Sequence, residues 1–241
     1  LSIAFGTAQF SEWGYSTEAD VINGYVPDAE EPPVEPPVVE DETYTLGTEV
    51  YADTTMTKKD NVITYTTEKL GAQVFDSVEI AQGTNFVLYA TVEAGMTAEN
   101  VGFVVGTLGE DNSKHLLFQW RRNQGDLYIW KDKGGWVGHN DNIYKSSIGT
   151  NGAEIALVYK NGTYYAFLNG TLVCQFGATF DNGWGGNVKV AETIGTEGTL
   201  KVGLSIAFGT AQFSEWGYST EADVINGYVP DAEEPPVDPE P

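Results

Sequence analysis

Hydrophobic and polar positions alternate along this chain with a period of two. Short runs rich in β-branched and aromatic residues recur: NVITYTT, NFVLYATVEA, VGFVVGTL, KHLLFQWRR, DLYIWKD, AEIALVYK, TYYAFLNG, TLVCQFG, NVKVAETI and LKVGLSIAFG. Successive side chains of an extended chain point to opposite faces, so each run predicts a strand with one apolar face. Asn151-Gly152, Asn161-Gly162 and Asn169-Gly170 punctuate the runs. Asn-Gly accepts the positive φ angles of a two-residue hairpin turn. Ten such runs between Tyr44 and Tyr228 predict an all-β sandwich or barrel. One helix is expected after the last strand. Thr220 and Asp223 form a capping box ahead of Val224-Ile225, repeated as Thr17 and Asp20 ahead of Val21-Ile22.

Residues 1–34 and residues 204–237 are identical, an offset of 203. The copies then diverge, with Glu35 against Asp238 and Pro37 against Glu240. Chance does not give such identity, and packing does not demand identical surface residues. The repetition predicts a tandem array with this period. All ten prolines fall at positions 27, 32, 33, 36 and 37 or at 230, 235, 236, 239 and 241. The segment EEPPVEPPVVEDE has no basic residue and reads as stiff, extended, self-repelling linker. The expected organisation is therefore the last strand and tail of a preceding repeat over 1–26, a Pro/Glu-rich linker over 27–43, a β-sandwich over 44–228 and a second linker over 229–241.

Composition changes this picture mainly through charge. Twelve basic and 35 acidic side chains give a formal net charge of -23 over 241 residues. Nucleic-acid binding needs a Lys/Arg footprint and is not expected, nor is an anionic membrane surface. No apolar run is long enough to span a bilayer, so membrane insertion is not expected. Cys174 is the sole cysteine, which excludes an internal disulfide and a cysteine-built zinc site.

The stretch AEIALVYKNGTYYAFLNGTLVCQF, from Ala153 to Phe176, resembles the core hairpins of the concanavalin A-like lectin/glucanase superfamily, which includes laminin G-like modules. The matching positions are Ile155, Leu157, Tyr159, Tyr165, Phe167, Asn169, Gly170, Leu172 and Val173. FVLYATVEAGMTAENVGFVVG and LKVGLSIAFGTAQFSEWGY are similar to the family's paired strands. The resemblance implies a jelly-roll β-sandwich of two antiparallel sheets. It admits lectins, carbohydrate-binding modules, adhesion modules and glycoside hydrolases, and fold alone does not choose among them.

The residues favour binding over catalysis. The superfamily's glucanases carry Glu-x-Asp-x-(x)-Glu on one strand, and no such run occurs here. Glu79 and Glu93 stand alone in the sequence, Glu110-Asp111 reads as a turn, and no G-x-S-x-G elbow accompanies His115 or His139. No catalytic residue is assigned and the chain is expected not to be an enzyme. Glycans are held by flat aromatic faces ringed by planar polar groups. WKDKGGWVGHNDNIY offers Trp136 with His139, Asn140 and Asp141; FDNGWGGN offers Trp184 with Asp181 and Asn182. These tryptophans either present their faces to a ligand or fold back over the edges of the core. Asp141 and Asn142 are also hard oxygen ligands of the kind calcium takes, without EF-hand spacing. Trp120 and Trp130 lie within strands and read as core or sheet-face residues.

A last possibility is assembly. In LSIAFGTAQF, Leu1, Ile3 and Phe5 form one face of a half-buried strand, as do Leu204, Ile206 and Phe208 in the second copy. The N-terminal copy could pair with an exposed edge of another subunit or displace the C-terminal copy from its slot, and either would link neighbouring repeats or identical subunits by strand addition or swapping. The sequence-level expectation is a module of a bacterial-type cell-surface or extracellular adhesin or stalk, binding a polysaccharide or glycoprotein glycan through loop tryptophans. The alternative is a filament subunit joined through residues 1–10 or 204–213.

Overall fold

The computed structural model describes residues 46–49, 54–123, 127–131, 135–136, 148–181 and 187–231. Side chains of residues 46–49, 54, 128, 130, 131, 135, 136, 181 and 187 are outside that description. Residues 1–43 cluster as a unit apart from 44–241, and the first unit lies outside the described residues.

The chain forms antiparallel strands β1 (Leu46–Glu49), β2 (Thr54–Lys59), β3 (Val62–Ile80), β4 (Phe86–Val92), β5 (Asn100–Leu108), β6 (Lys114–Arg121) and β7 (Leu127–Lys131). There follow β8 (Gly135–Trp136), β9 (Ala153–Lys160), β10 (Thr163–Leu168), β11 (Thr171–Phe176), β12 (Thr179–Asp181) and β13 (Asn187–Lys189). Helix α1 (Val190–Ile194), strand β14 (Leu200–Ser219) and helix α2 (Ala222–Tyr228) complete the fold. The main hydrogen-bonded path runs β11-β10-β9-β4-β14-β5-β6-β7-β8.

Two long strands turn this path into a jelly-roll sandwich. The first part of β14, Lys201–Ala207, lies between β5 and the far end of β3; its second part pairs with the near end of β3 and then with β4. A bulge at Phe208-Gly209 marks the passage, with φ of 52° and 138°. A Cβ on Gly209 would meet the Ala98 amide nitrogen at 2.7 Å, so this close approach requires glycine. One layer therefore holds β5–β8 and the other β4 and β9–β11. They meet face to face: the Phe118 ring of β6 stacks on Tyr164 of β10 at 5.3 Å and on Phe176 of β11 at 5.5 Å. Alternation supplies this core, with Val101, Phe103 and Val105 facing inward from one layer and Phe86, Leu88 and Ala90 from the other.

Three local expectations change. Asn161-Gly162 and Asn169-Gly170 take paired positive φ angles as expected, whereas at Asn151-Gly152 only Gly152 does. NVKVAETI, expected as a strand, is β13 followed by α1, because Val190 and Ile194, four residues apart, reach the same core. The capping box does not form: Glu221 occupies the N-cap position of α2 without a side-chain bond, and the Glu221 amide donates to Ser219 Oγ at 3.0 Å. Among the described residues no helix is long and apolar enough to cross a membrane.

Candidate functional site

The outward face of the β4-β9-β10 layer carries a groove. Its floor follows from strand register. Gly217 of β14 lies opposite Tyr89 of β4, Tyr89 opposite Ala156 of β9, and Ala156 opposite Phe167 of β10. The small residues make the depth: a Cβ on Gly217 would sit 2.6 Å from the Tyr89 hydroxyl. The next row is polar, with Thr91 opposite Glu154.

A second bulge completes that row. Pairing of β14 with β4 shifts between Ser214 and Gly217, and Glu215 takes a φ of 47°. Non-glycine residues seldom adopt this region, and bulges often re-aim side chains at functional sites. Here the bulge brings the Glu215 carboxylate to the Thr91 hydroxyl, which donates to Oε2 at 3.1 Å. Glu154 is fixed from the other side, since its amide donates to Asn169 Oδ1 at 2.9 Å and its carbonyl accepts the Asn169 amide at 2.8 Å.

Helix α2 forms one wall. Ile225 packs on Val87, Ala156 and Val158, and Tyr228 meets Phe167 edge-on at 5.4 Å. Lys160, nearly buried, holds the helix end by donating to Asn226 Oδ1 at 2.7 Å and to the Val229 carbonyl at 2.5 Å, and it pairs with Asp231 at 2.7 Å. The hydrogen bond and charge of Lys160 hold the Asp231 carboxyl below its ordinary range. Burial, then the nearby Glu154 and Tyr89, pushes the Tyr228 hydroxyl up, so it stays a hydrogen-bond donor at neutral pH.

The cleft encloses about 260 Å³ and is lined by Tyr89, Thr91, Glu154, Phe167, Glu215 and Tyr228, among others. A shallower depression of about 380 Å³ adjoins it, sharing Thr91 and Glu154 and adding Glu93, Asn151 and Asn169. The first volume falls just below the roughly 300–1,000 Å³ of drug-sized pockets.

Of the loop residues expected to bind, Trp136 and Asp181 fall within the described backbone. Trp136 lies on β8, at the end of the strand path, where its backbone pairs with Trp130. Asp181 ends β12, and its backbone pairs with Asn187. His139, Asn140, Asp141, Asn142, Asn182 and Trp184 lie outside the described residues, as do Leu1, Ile3 and Phe5. Leu204 and Ile206 are fully buried in β14 with strands on both sides; Phe208, at the bulge, is 48% exposed. His115 is buried, its Nδ1 2.7 Å from the Asn112 carbonyl oxygen. Trp120 is buried as expected. Among the described residues no group of three or more His, Cys, Asp or Glu could hold a metal ion.

The sequence reading missed Tyr89, Thr91, Glu154, Glu215 and Tyr228. A signal was present in the alternation, which places Tyr89 and Thr91 on one face of β4 and Glu154 on the same side of β9.

No family model matches the chain, and no curated protein matches it. Solved structures that are similar include the carbohydrate binding module CBM66 from Bacillus subtilis, at 12% identity over 73% of this chain and 97% of that one, with a TM-score of 0.49. A functionally unknown protein from Saccharomyces cerevisiae is 13% identical over 73% of this chain and 97% of its own, with a TM-score of 0.45. Chicken galectin 2 is 12% identical over 63% of this chain and 98% of its own, with a TM-score of 0.40. At these levels no ligand or activity passes from them to this chain.

Proposed function

We propose that this domain is a non-catalytic glycan-binding module of a repetitive extracellular or bacterial cell-surface adhesin, and that the groove holds a short, uncharged oligosaccharide. The observation that supports this best is the meeting of half-buried aromatic side chains, Tyr89 and Tyr228, with the exposed carboxylates of Glu154 and Glu215 in one open cleft. The aromatic faces match the C–H face of a sugar ring, and the carboxylates accept hydrogen bonds from its hydroxyls. Two carboxylates and a net charge of -23 disfavour sialylated or uronic-acid glycans. Glycosidase chemistry calls for one carboxyl kept protonated in a shielded setting, and both groove carboxylates are exposed. A weak single site gains avidity when modules are strung along one chain.

Calorimetric titration of the full chain with neutral and sialylated oligosaccharides tests this reading. Binding should be confined to neutral glycans and should weaken about tenfold or more in Tyr89→Ala and in Glu154→Gln. Unchanged affinity in both variants, or loss only in Trp136→Ala and Trp184→Ala, would move the site to the loops. Release of new reducing ends from a bound glycan, abolished by Glu154→Gln, would replace binding with hydrolysis.

A further inference from the structure

The end of helix α2 brings a lysine, a side-chain amide and a carboxyl group to one point. Lys160 closes β9, and its side chain is 7% exposed. Its Nζ donates to Asn226 Oδ1 at 2.7 Å and lies 2.7 Å from Asp231 Oδ1. The third side of the triangle is also made, since Asn226 Nδ2 donates to Asp231 Oδ2 at 3.1 Å. An ammonium only donates and a carboxylate only accepts, so these partners fix which end of the Asn226 amide faces which group. The scaffold holds all three. Ile225, beside Asn226, packs on Val87, Ala156 and Val158, and the turn after Lys160 is held by Asn85, whose Oδ1 accepts the Asn161 amide at 2.9 Å. The Val229 carbonyl accepts from Nζ as well, which brings the chain back so that Asp231 reaches the lysine. Of the other described ion pairs, Lys189–Glu192 and Lys201–Glu79, neither places a side-chain amide against its lysine.

We propose that Lys160 and Asn226 join in an intramolecular isopeptide bond, with Asp231 carrying the protons. The arrangement described above is that of the unreacted chain. The hydrogen bond and charge of Lys160 hold the Asp231 carboxyl below its ordinary range, so the proton rests on Nζ. The reaction begins when that proton crosses the 2.7 Å contact to Asp231. The freed electron pair of Nζ attacks Asn226 Cγ, which a small turn of the amide brings into line, and the Nζ–Cγ bond forms. The Cγ–Nδ2 bond then breaks. Nδ2 departs as ammonium with the two protons that Nζ has given up, and Asp231 is again a carboxylate. Nothing is oxidised or reduced, and no further reactant is needed. Fixed contact between the groups supplies the effective concentration that an amide otherwise requires to react with an amine. The product fastens α2, one wall of the groove, to β9. This inference does not depend on the glycan reading.

Mass spectrometry of the full chain, after incubation for several days at neutral pH, tests it. The intact mass should fall by one ammonia. That loss alone is not sufficient, because Asn226 precedes Gly227 and an Asn-Gly pair can also lose ammonia by closing on its own backbone. The location of the bond decides. Trypsin should no longer cut after Lys160, and a branched product should join residues 146–189 to residues 202–241. Asp231 is exposed, so Asp231→Ala should keep cooperative thermal unfolding while losing the branched product. Lys160→Arg, which keeps the charge without the nucleophile, should lose it too. Overturning results are a wild-type chain that trypsin cuts normally after Lys160, ammonia loss confined to a ring at Asn226-Gly227, or a branched product that forms equally fast in Asp231→Ala.

Discussion

The two outer faces of the sandwich use polar residues in opposite ways. On the β5-β6 layer, Ala72, Val74, Val104 and Leu117 form a buried apolar patch. The polar side chains there are also buried and bind one another: Asn100 Nδ2 donates to Gln119 Oε1 at 3.3 Å, and Gln119 Nε2 donates to Ser205 Oγ at 2.6 Å. On the β4-β9-β10 layer, α2 covers only part of the face, and Thr91, Glu154 and Glu215 stay accessible. Polar groups buried and mutually bonded hold a fold in one register. Polar groups beside exposed aromatic surface keep hydrogen-bonding capacity for something else. Charge separates the faces in the same way, since the buried set is neutral and the open set carries carboxylates.

The contrast can be tested in order of expected effect. The largest change is to the interface both layers share: Phe118→Ala removes a fully buried ring that stacks across the sandwich. It should cost about 3–5 kcal/mol in chemical denaturation. Gln119→Ala strands Asn100 and Ser205 and should cost about 1–3 kcal/mol while leaving glycan affinity unchanged. A loss of affinity there would erase the distinction between the faces. Tyr89→Ala should behave the opposite way, weakening ligand binding about tenfold.

The smallest effects are those of pH. Because Asp231 titrates below its usual range when paired with Lys160, its contribution is present above about pH 4 and is lost as pH falls further. Lys160→Met should flatten that acid limb of a stability-versus-pH curve measured by urea unfolding. The Tyr228 hydroxyl, raised chiefly by burial, contributes in the opposite window. Its stabilisation is present below about pH 10 and is lost as pH rises through its folded value. Tyr228→Phe should therefore be less sensitive to alkali in the same assay.

Much of the fold was legible because period-two alternation has a direct physical cause, and Asn-Gly turns at 161–162 and 169–170 have another. The change from β13 into α1 was not legible, since a five-residue helix leaves almost no periodic signal. The groove was hidden for a different reason. Its floor joins Tyr89, Ala156, Phe167 and Gly217, residues set side by side only by strand order. Its Glu215 is aimed by a bulge that no residue type announces, because glutamate has no preference for a φ of 47°. The tryptophan-rich loops drew attention by composition, whereas the groove is made by register.

Ligand binding at the open face of the β4-β9-β10 layer would slow amide exchange along the strands that line it. Hydrogen–deuterium exchange of the full chain, with and without a saturating neutral oligosaccharide, tests it most directly. Added protection is expected at 87–91, 154–156, 165–170, 215–217 and 226–229. Protection confined to 130–144 and 181–187 would contradict it and assign binding to the tryptophan loops.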